Sequence, residues 1–193
     1  MESNYFIHYL IELTKILIPL VAVYLVYRFG IKQIINQKRL EFVDRQLREF
    51  YSPMISYRNT IITIRELQEN IFKATDIKWK EFCEINPKPT DQDFRKYDNS
   101  LKFDKKQFRE EIITLYDKMV SIFNENYYLA EKETRNYFNE LYCYVNIWHR
   151  WLEDSIPYEV AIELKYSEES LIPFYNDLDK QEKILTKKLS FKK

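Results

Sequence analysis

His149 is the first residue whose type could support chemistry. It lies in the run Trp-His-Arg-Trp at positions 148–151, with two carboxylates close by. A metal site needs several convergent ligands, and neither a second His nor a suitably spaced Cys accompanies this one. General-base catalysis would need a nucleophile beside the imidazole, and the sequence offers none. We therefore interpret His149 and Arg150 as solvent-facing residues beside an inward-packing Trp148, and keep both as candidates for contact with a ligand or partner.

The composition excludes several classes of catalytic and metal-binding protein. Gly30 is the only glycine, whereas phosphate loops, dinucleotide-binding turns and nucleophile elbows need several. Cys83 and Cys143 lie far apart without CxxC spacing, which predicts reduced helix-packing residues. Lys+Arg and Asp+Glu balance at 30 each, so no overall basic charge favours nucleic acid. We predict no catalytic residues, no cofactor, no metal and no nucleic-acid partner.

The apolar segment near the N-terminus is long enough to span a membrane only if it includes two charged residues. Residues 16–27 carry no charge, but twelve residues are too few to span about 30 Å of hydrocarbon. Extension back to Tyr5 gives a sufficient length and takes in Glu12 and Lys15. These two can pair on one helical face, near an end where their charge is better tolerated. We predict an anchor over 1–30 with its transmembrane span at about 5–28.

The polar residues of the predicted span have two interpretations. If the chain oligomerises, His8, Glu12 and Lys15 would line a bundle of spans and could shape an ion path. Alternatively, Glu12 and Lys15 form an interfacial pair. Competing interpretations of the segment itself are a cleaved signal peptide and a buried soluble helix. The first lacks early basic residues and a small-residue cleavage site, and the second would show polar interruptions at helical period.

Basic residues follow the span and set its orientation. They are Arg28, Lys32, Lys38 and Arg39, and Glu2 is the only charge before the span at about 5–28. The positive-inside rule then places the C-terminal side in the cytoplasm, at the inner membrane. Each basic residue close to the surface favours anionic lipid headgroups by about 1 kcal/mol.

Arg45 and Arg48 lie farther along the chain, roughly 20–30 Å from the span on a straight helix at about 1.5 Å per residue. At that distance we expect ordinary salt bridges, such as Arg45 with Glu49, or contact with an anionic ligand or a partner.

Helical periodicity predicts an all-α fold for residues 31–193. We expect four to six helices, largely antiparallel, with a polar connection at about 84–103 and a capping box at Thr90. Pro53 is expected to end or kink a helix at Tyr51–Ser52, and Asp104 to start a new one. A bend is expected near 124–126. Ser155 is expected to cap a helix, and Pro173 to interrupt the last one.

Two short patches resemble a known group of proteins. They are RQLREFYSPM, at 45–54, and PFYNDL, at 173–178. Both are similar to stretches in small single-span bacterial membrane proteins with a cytoplasmic helical part, some of which are accessory or effector components of antiphage defence systems. The resemblance implies an anchored effector or sensor and carries over no functional residues.

Two non-catalytic functions remain open. In the first, the helical domain detects a ligand or partner and the chain oligomerises among membrane lipids as an effector or sensor. In the second, the chain is a scaffold or adaptor that holds a binding surface at the inner membrane. An enzyme assembled around His149 is a third and weaker hypothesis.

Overall fold

The protein is mostly helical over the residues that the structure describes. This computed structural model describes the backbone of residues 2–164 and 167–190, and the side chains within those ranges except 2–14, 16 and 96–101. No β-strand occurs among the described residues. The α-helices, in chain order, are α1 Glu2–Arg45, α2 Ser52–Ile85, α3 Asp91–Gln107, α4 Ile113–Glu125, α5 Lys132–Arg135, α6 Phe138–Leu152, α7 Tyr158–Glu163 and α8 Ile172–Ser190.

The chain divides into two compact units, Met1–Asp44 and Arg45–Lys193. The first unit consists of nearly all of α1, which continues through Pro19. Within the described residues, one helical stretch, beginning at Leu17, is long and apolar enough to cross a membrane by length and composition. The boundary at Asp44 lies fourteen residues beyond the predicted domain boundary at residue 30.

The second unit is built around α2. Helix α4 packs against both α2 and α6, and α8 packs against α2. Aromatic rings fill the centre: Phe50 meets Phe123 edge to face at 5.1 Å between centroids, and Phe123 lies 5.9 Å from Phe174. All three side chains are fully buried. Such edge-to-face contacts contribute beyond simple area burial, so the aromatic-rich composition serves this core.

Pro53 does not end a helix at Tyr51–Ser52, so the first of the two outcomes expected there, an end or a kink, is wrong. The backbone is helical on both sides of it because a π-helical turn, Gln46–Tyr51, precedes α2. Proline lacks an N–H, and its ring clashes with the carbonyl four residues earlier in a regular α-helix. A π-turn widens the helix at this point and so accommodates the ring.

The connection after α2 is shorter than expected. Thr90 forms the predicted capping box with Asp93, in which each side chain accepts the other residue's backbone N–H at 3.2 and 3.1 Å. The helix it starts, α3, runs to Gln107, so residues 91–103 are not a loop. Asp104 does not start a new helix, because its carbonyl accepts the N–H of Phe108 within a continuous helix. A second π-turn, Phe108–Ile112, then leads into α4.

Two of the three later breaks occur where expected, and the third, at Pro173, does not occur. Helix α4 ends at Glu125, which confirms the break near 124–126. Ser155 is not an N-cap: its N–H closes the end of α6 by donating to the Arg150 carbonyl at 2.8 Å, beside Asp154 at φ 53°. Pro157 caps α7 instead. Pro173 lies in the first turn of α8, where proline is favoured, and therefore does not interrupt it.

Candidate functional site

The surface of α1 is apolar and exposed over residues 17–27. Ile18, Val23 and Val26 are 67%, 68% and 73% exposed, and the most apolar 18-residue window is 0% buried. Each large apolar side chain left in water forgoes about 1.5–3 kcal/mol that burial would supply. This helix therefore presents an exposed apolar surface.

The structure describes the side chains of some of the charged residues predicted to flank the span or to lie within it. Lys15, Lys32, Lys38 and Arg39 are exposed along α1. The Arg28 guanidinium lies over the Tyr24 ring, 6.0 Å from its centroid. His8 and Glu12, the other predicted polar residues of the span, lie outside the described side chains.

Arg45 and Arg48 form the ordinary salt bridges that were expected. Arg45 lies 3.2 Å from Glu49 and also donates to the Tyr128 hydroxyl at 2.5 Å, and Arg48 lies 3.6 Å from Glu49. The hydrogen bond with Glu49 raises the pKa of Arg45, and the same bond lowers the pKa of the Glu49 carboxyl. The two arginines share one carboxylate, so they do not form an open anion pocket.

His149 has a carboxylate partner but no catalytic neighbour. Its Nε2 atom lies 2.8 Å from Asp117 on α4, and its side chain is 40% exposed. Arg150 is exposed, and Trp148 is half-buried against Phe108, with ring centroids 5.3 Å apart. Within the described residues, no group of three or more His, Cys, Asp or Glu could hold a metal ion.

A chain of buried hydrogen bonds, which we call the buried relay, joins three elements and was not predicted from the sequence. The Glu131 N–H donates to the Tyr51 hydroxyl at 2.9 Å, and that hydroxyl lies 2.9 Å from Thr134 Oγ1. Thr134 donates to Asp177 at 2.6 Å, and Gln181 donates to the other carboxylate oxygen at 3.2 Å. Because Thr134 has one hydroxyl proton and donates it to Asp177, it can only accept from Tyr51, so the Tyr51 proton goes to Thr134. The relay thus runs in one direction and ends on the Asp177 carboxylate.

A second network contains an ion pair and three tyrosines. Arg65 Nε lies 2.7 Å from Glu168, although its N–H is not aligned for a hydrogen bond. Tyr116 donates to the same carboxylate at 3.0 Å and lies 3.1 Å from the Tyr175 hydroxyl. Tyr144 is within 3.5 Å of the guanidinium. These contacts link α2, α4, α6 and α8 through the short 3-10 turn Glu168–Leu171.

The tyrosines of both networks are held neutral. Burial raises the pKa of Tyr51 to about 12 and raises the pKa values of Tyr116, Tyr144 and Tyr175 as well. Burial is the largest single influence on the pKa of Arg65 and lowers it, but Glu168 and the three neighbouring tyrosines together outweigh burial, so the net pKa is raised. Neither a phenol with a raised pKa nor a guanidinium changes its charge near pH 7, and both networks join helices through buried or partly buried hydrogen bonds.

The two patches that carried the resemblance contribute to the same interior. Tyr51 comes from the first patch, and Tyr175 and Asp177 come from the second. Nearby, Arg58 donates to the Tyr175 carbonyl at 3.1 Å and lies 2.8 Å from Asp179. One sequence signal could have predicted the buried contact of Asp177: a carboxylate in the middle of an apolar helical stripe needs a buried partner.

No family model, curated protein or solved structure matches this chain.

Proposed function

We propose that α1 anchors this protein in the inner membrane by a single span at about residues 5–28, with the N-terminus outside and residues 31–193 in the cytoplasm. The observation that carries the proposal is the uncovered apolar surface of α1. An apolar core helix of a soluble protein would be buried, whereas the apolar window of this helix is 0% buried. The exposed basic residues that follow it support the orientation by the positive-inside rule.

The cytoplasmic part, on this proposal, is an antiparallel helical bundle that acts as a non-catalytic effector or sensor. It would bind a ligand or partner and oligomerise among membrane lipids. The buried tyrosines, which stay neutral near pH 7, support a binding role over an enzymatic one. The resemblance of the two patches supports antiphage defence as the setting.

A scaffold or adaptor function is the alternative, and the buried networks favour it. They link α2, α4, α6 and α8 by hydrogen bonds and an ion pair, which suits a binding surface of fixed shape. Replacement of α1 by an unrelated single span separates the two functions. Full activity after the exchange would support the scaffold, and loss of activity with normal membrane insertion would support the effector.

The anchorage is tested with a Leu17→Arg/Val21→Arg double variant. Arginine at the centre of a span opposes insertion by about 2.5–3.5 kcal/mol per residue, so the variant should move from the detergent-requiring fraction to the soluble fraction. A Leu17→Ile/Val21→Ile variant is the matched control and should remain in the membrane. Recovery of the unaltered chain without detergent, or in a shortened form cleaved after the apolar segment, would contradict the proposal.

The effector function is tested at the polar residues of the span. A Glu12→Leu/Lys15→Leu variant should abolish membrane depolarisation on overexpression if these residues line a bundle of spans. Unchanged depolarisation in a variant that still inserts would refute the pore version and leave only an anchoring role for α1.

A further inference from the structure

A shallow groove of about 640 Å³ runs along one side of α1, at the inner end of the proposed span. We call it the α1 groove. It contains two cations, Arg28 and Lys32, together with apolar and aromatic side chains that include Tyr24, Leu25 and Ile35. Among the described residues, none that lines this groove is acidic. The α1 groove therefore combines an apolar surface with uncompensated positive charge.

The two cations have no acidic neighbour along α1. No Asp or Glu occurs between Glu12 and Glu41, and Glu41 lies nine residues beyond Lys32. At about 1.5 Å per residue this separation is about 14 Å, too far for an ion pair. Elsewhere in the chain cations pair with a carboxylate one turn away, as Lys73 does with Glu69. The charge of the α1 groove is thus left for an outside anion.

The spacing of the cations suits one phosphate group. Arg28 and Lys32 are exposed and lie four residues apart, so their Cβ atoms are neighbours on one helical face, about 5–6 Å apart. Two cations at this spacing repel each other, and an anion between them removes the repulsion. Arginine forms paired hydrogen bonds with phosphate oxygens, and lysine adds a compact point charge. The Arg28 guanidinium also lies over the Tyr24 ring, 6.0 Å from its centroid, which restricts its position.

The depth of the α1 groove matches the layer of lipid phosphates. With the span ending at about residue 28, Arg28 lies at the edge of the hydrocarbon and Lys32 lies about 6 Å beyond it. The headgroup layer of each leaflet is about 5–7 Å thick. Lys38 follows Arg28 by ten residues, or about 15 Å, and Arg39 lies farther still. Two of the four flanking cations are therefore at the level of the phosphates, and the other two are beyond it.

We propose that Arg28 and Lys32 bind the phosphodiester of one acidic phospholipid of the inner leaflet, with an acyl chain of that lipid against Tyr24 and Leu25. This inference rests on the proposed membrane anchorage and sharpens it, because it assigns a discrete site in place of a diffuse attraction shared by all the basic residues. An acidic headgroup is favoured over a zwitterionic one, since a zwitterionic lipid would bring its own ammonium group toward the two cations.

Lipid competition in a bilayer tests the site with the full chain. The chain is reconstituted into nanodiscs that contain equal amounts of phosphatidylglycerol and phosphatidylcholine, and the lipids that stay bound are counted by native mass spectrometry. The unaltered chain should retain phosphatidylglycerol in preference. An Arg28→Gln/Lys32→Gln variant should lower the ratio of bound phosphatidylglycerol to phosphatidylcholine about tenfold, equivalent to about 1.4 kcal/mol. A Lys38→Gln/Arg39→Gln variant removes the same charge outside the α1 groove and should leave the ratio nearly unchanged.

Three results would overturn the site. Equal losses in the two double variants would indicate diffuse attraction, and equal binding of both lipids to the unaltered chain would indicate no preference. A second copy of the chain in place of the lipid would appear as a dimer without bound phospholipid. Fractionation of the same samples tests the anchorage separately: an inserted chain without a lipid preference contradicts only the site, whereas recovery of the unaltered chain without detergent contradicts the anchorage.

Tyr24 acts as a positioning residue in this site. Loss of a cation–π contact at an exposed position should lower the preference for phosphatidylglycerol about two- to fivefold in Tyr24→Leu. Tyr24→Phe keeps the ring under the Arg28 guanidinium and should retain the preference of the unaltered chain. Equal preferences in the two Tyr24 variants would overturn this role of the ring.

Discussion

Replacement of Thr134 by valine should weaken the helical unit markedly. The side chain is fully buried, and valine has nearly the same shape, so packing is preserved. The change removes the hydroxyl that accepts from Tyr51 and donates to Asp177. It leaves a buried phenol without an acceptor and a buried carboxylate with one donor fewer.

The expected loss follows from these two bonds. A neutral hydrogen bond contributes about 0.5–1.5 kcal/mol and one to a charged group about 1.5–3, so Thr134→Val should cost about 2–4 kcal/mol. With a urea dependence of about 2 kcal/mol per molar, the unfolding midpoint should fall by about 1–2 M. Tryptophan fluorescence of the full chain in detergent is the assay, because Trp79, Trp148 and Trp151 all lie in the unit beginning at Arg45.

Thr114→Val is the matched control. Thr114 is exposed on α4, and its hydroxyl bonds only to the Glu110 carbonyl one turn earlier. The same chemical change there should stay within about 0.5 kcal/mol. If Thr134→Val and Thr114→Val shift the midpoint equally, the buried relay does not stabilise the fold, and the argument for it fails.

Three further outcomes follow from the same interior and surface. The stability of the helical unit should hold up to about pH 10 and then fall toward pH 12, because Tyr51 ionises in the unfolded chain while it stays neutral in the folded one. The free energy of unfolding, measured by urea titration, should fall by about 1.4 kcal/mol per pH unit because of this tyrosine. The decline should be smaller in Tyr51→Phe. Glu168→Gln should cost about 1–2 kcal/mol by losing charge beside the partly buried Arg65, whereas Glu69→Gln in an exposed pair should leave the midpoint unchanged. His149→Ala should keep normal helicity by circular dichroism and a full overexpression phenotype; loss of the phenotype in a folded variant would revive the enzyme hypothesis.

Helix type and approximate position could be predicted because periodicity and capping are local signals. The Thr90 capping box involves residues three apart, so its meaning was readable from sequence. The helix end expected at Pro53 is wrong because the effect of this proline depends on a π-turn in the preceding residues. The composition contains no signal that distinguishes a π-turn from a helix break. Asp104 was misread for a related reason: a capping residue starts a helix only where the chain is not already helical.

The buried networks could not be predicted because their members are distant in sequence. Tyr51 and Asp177 lie 126 positions apart, and their link through Thr134 depends on how α5 and α8 pack. A sequence without aligned relatives reports which residues are apolar, but not which polar residues meet inside. Arg45 was predictable in contrast, because its partner Glu49 lies one helical turn away.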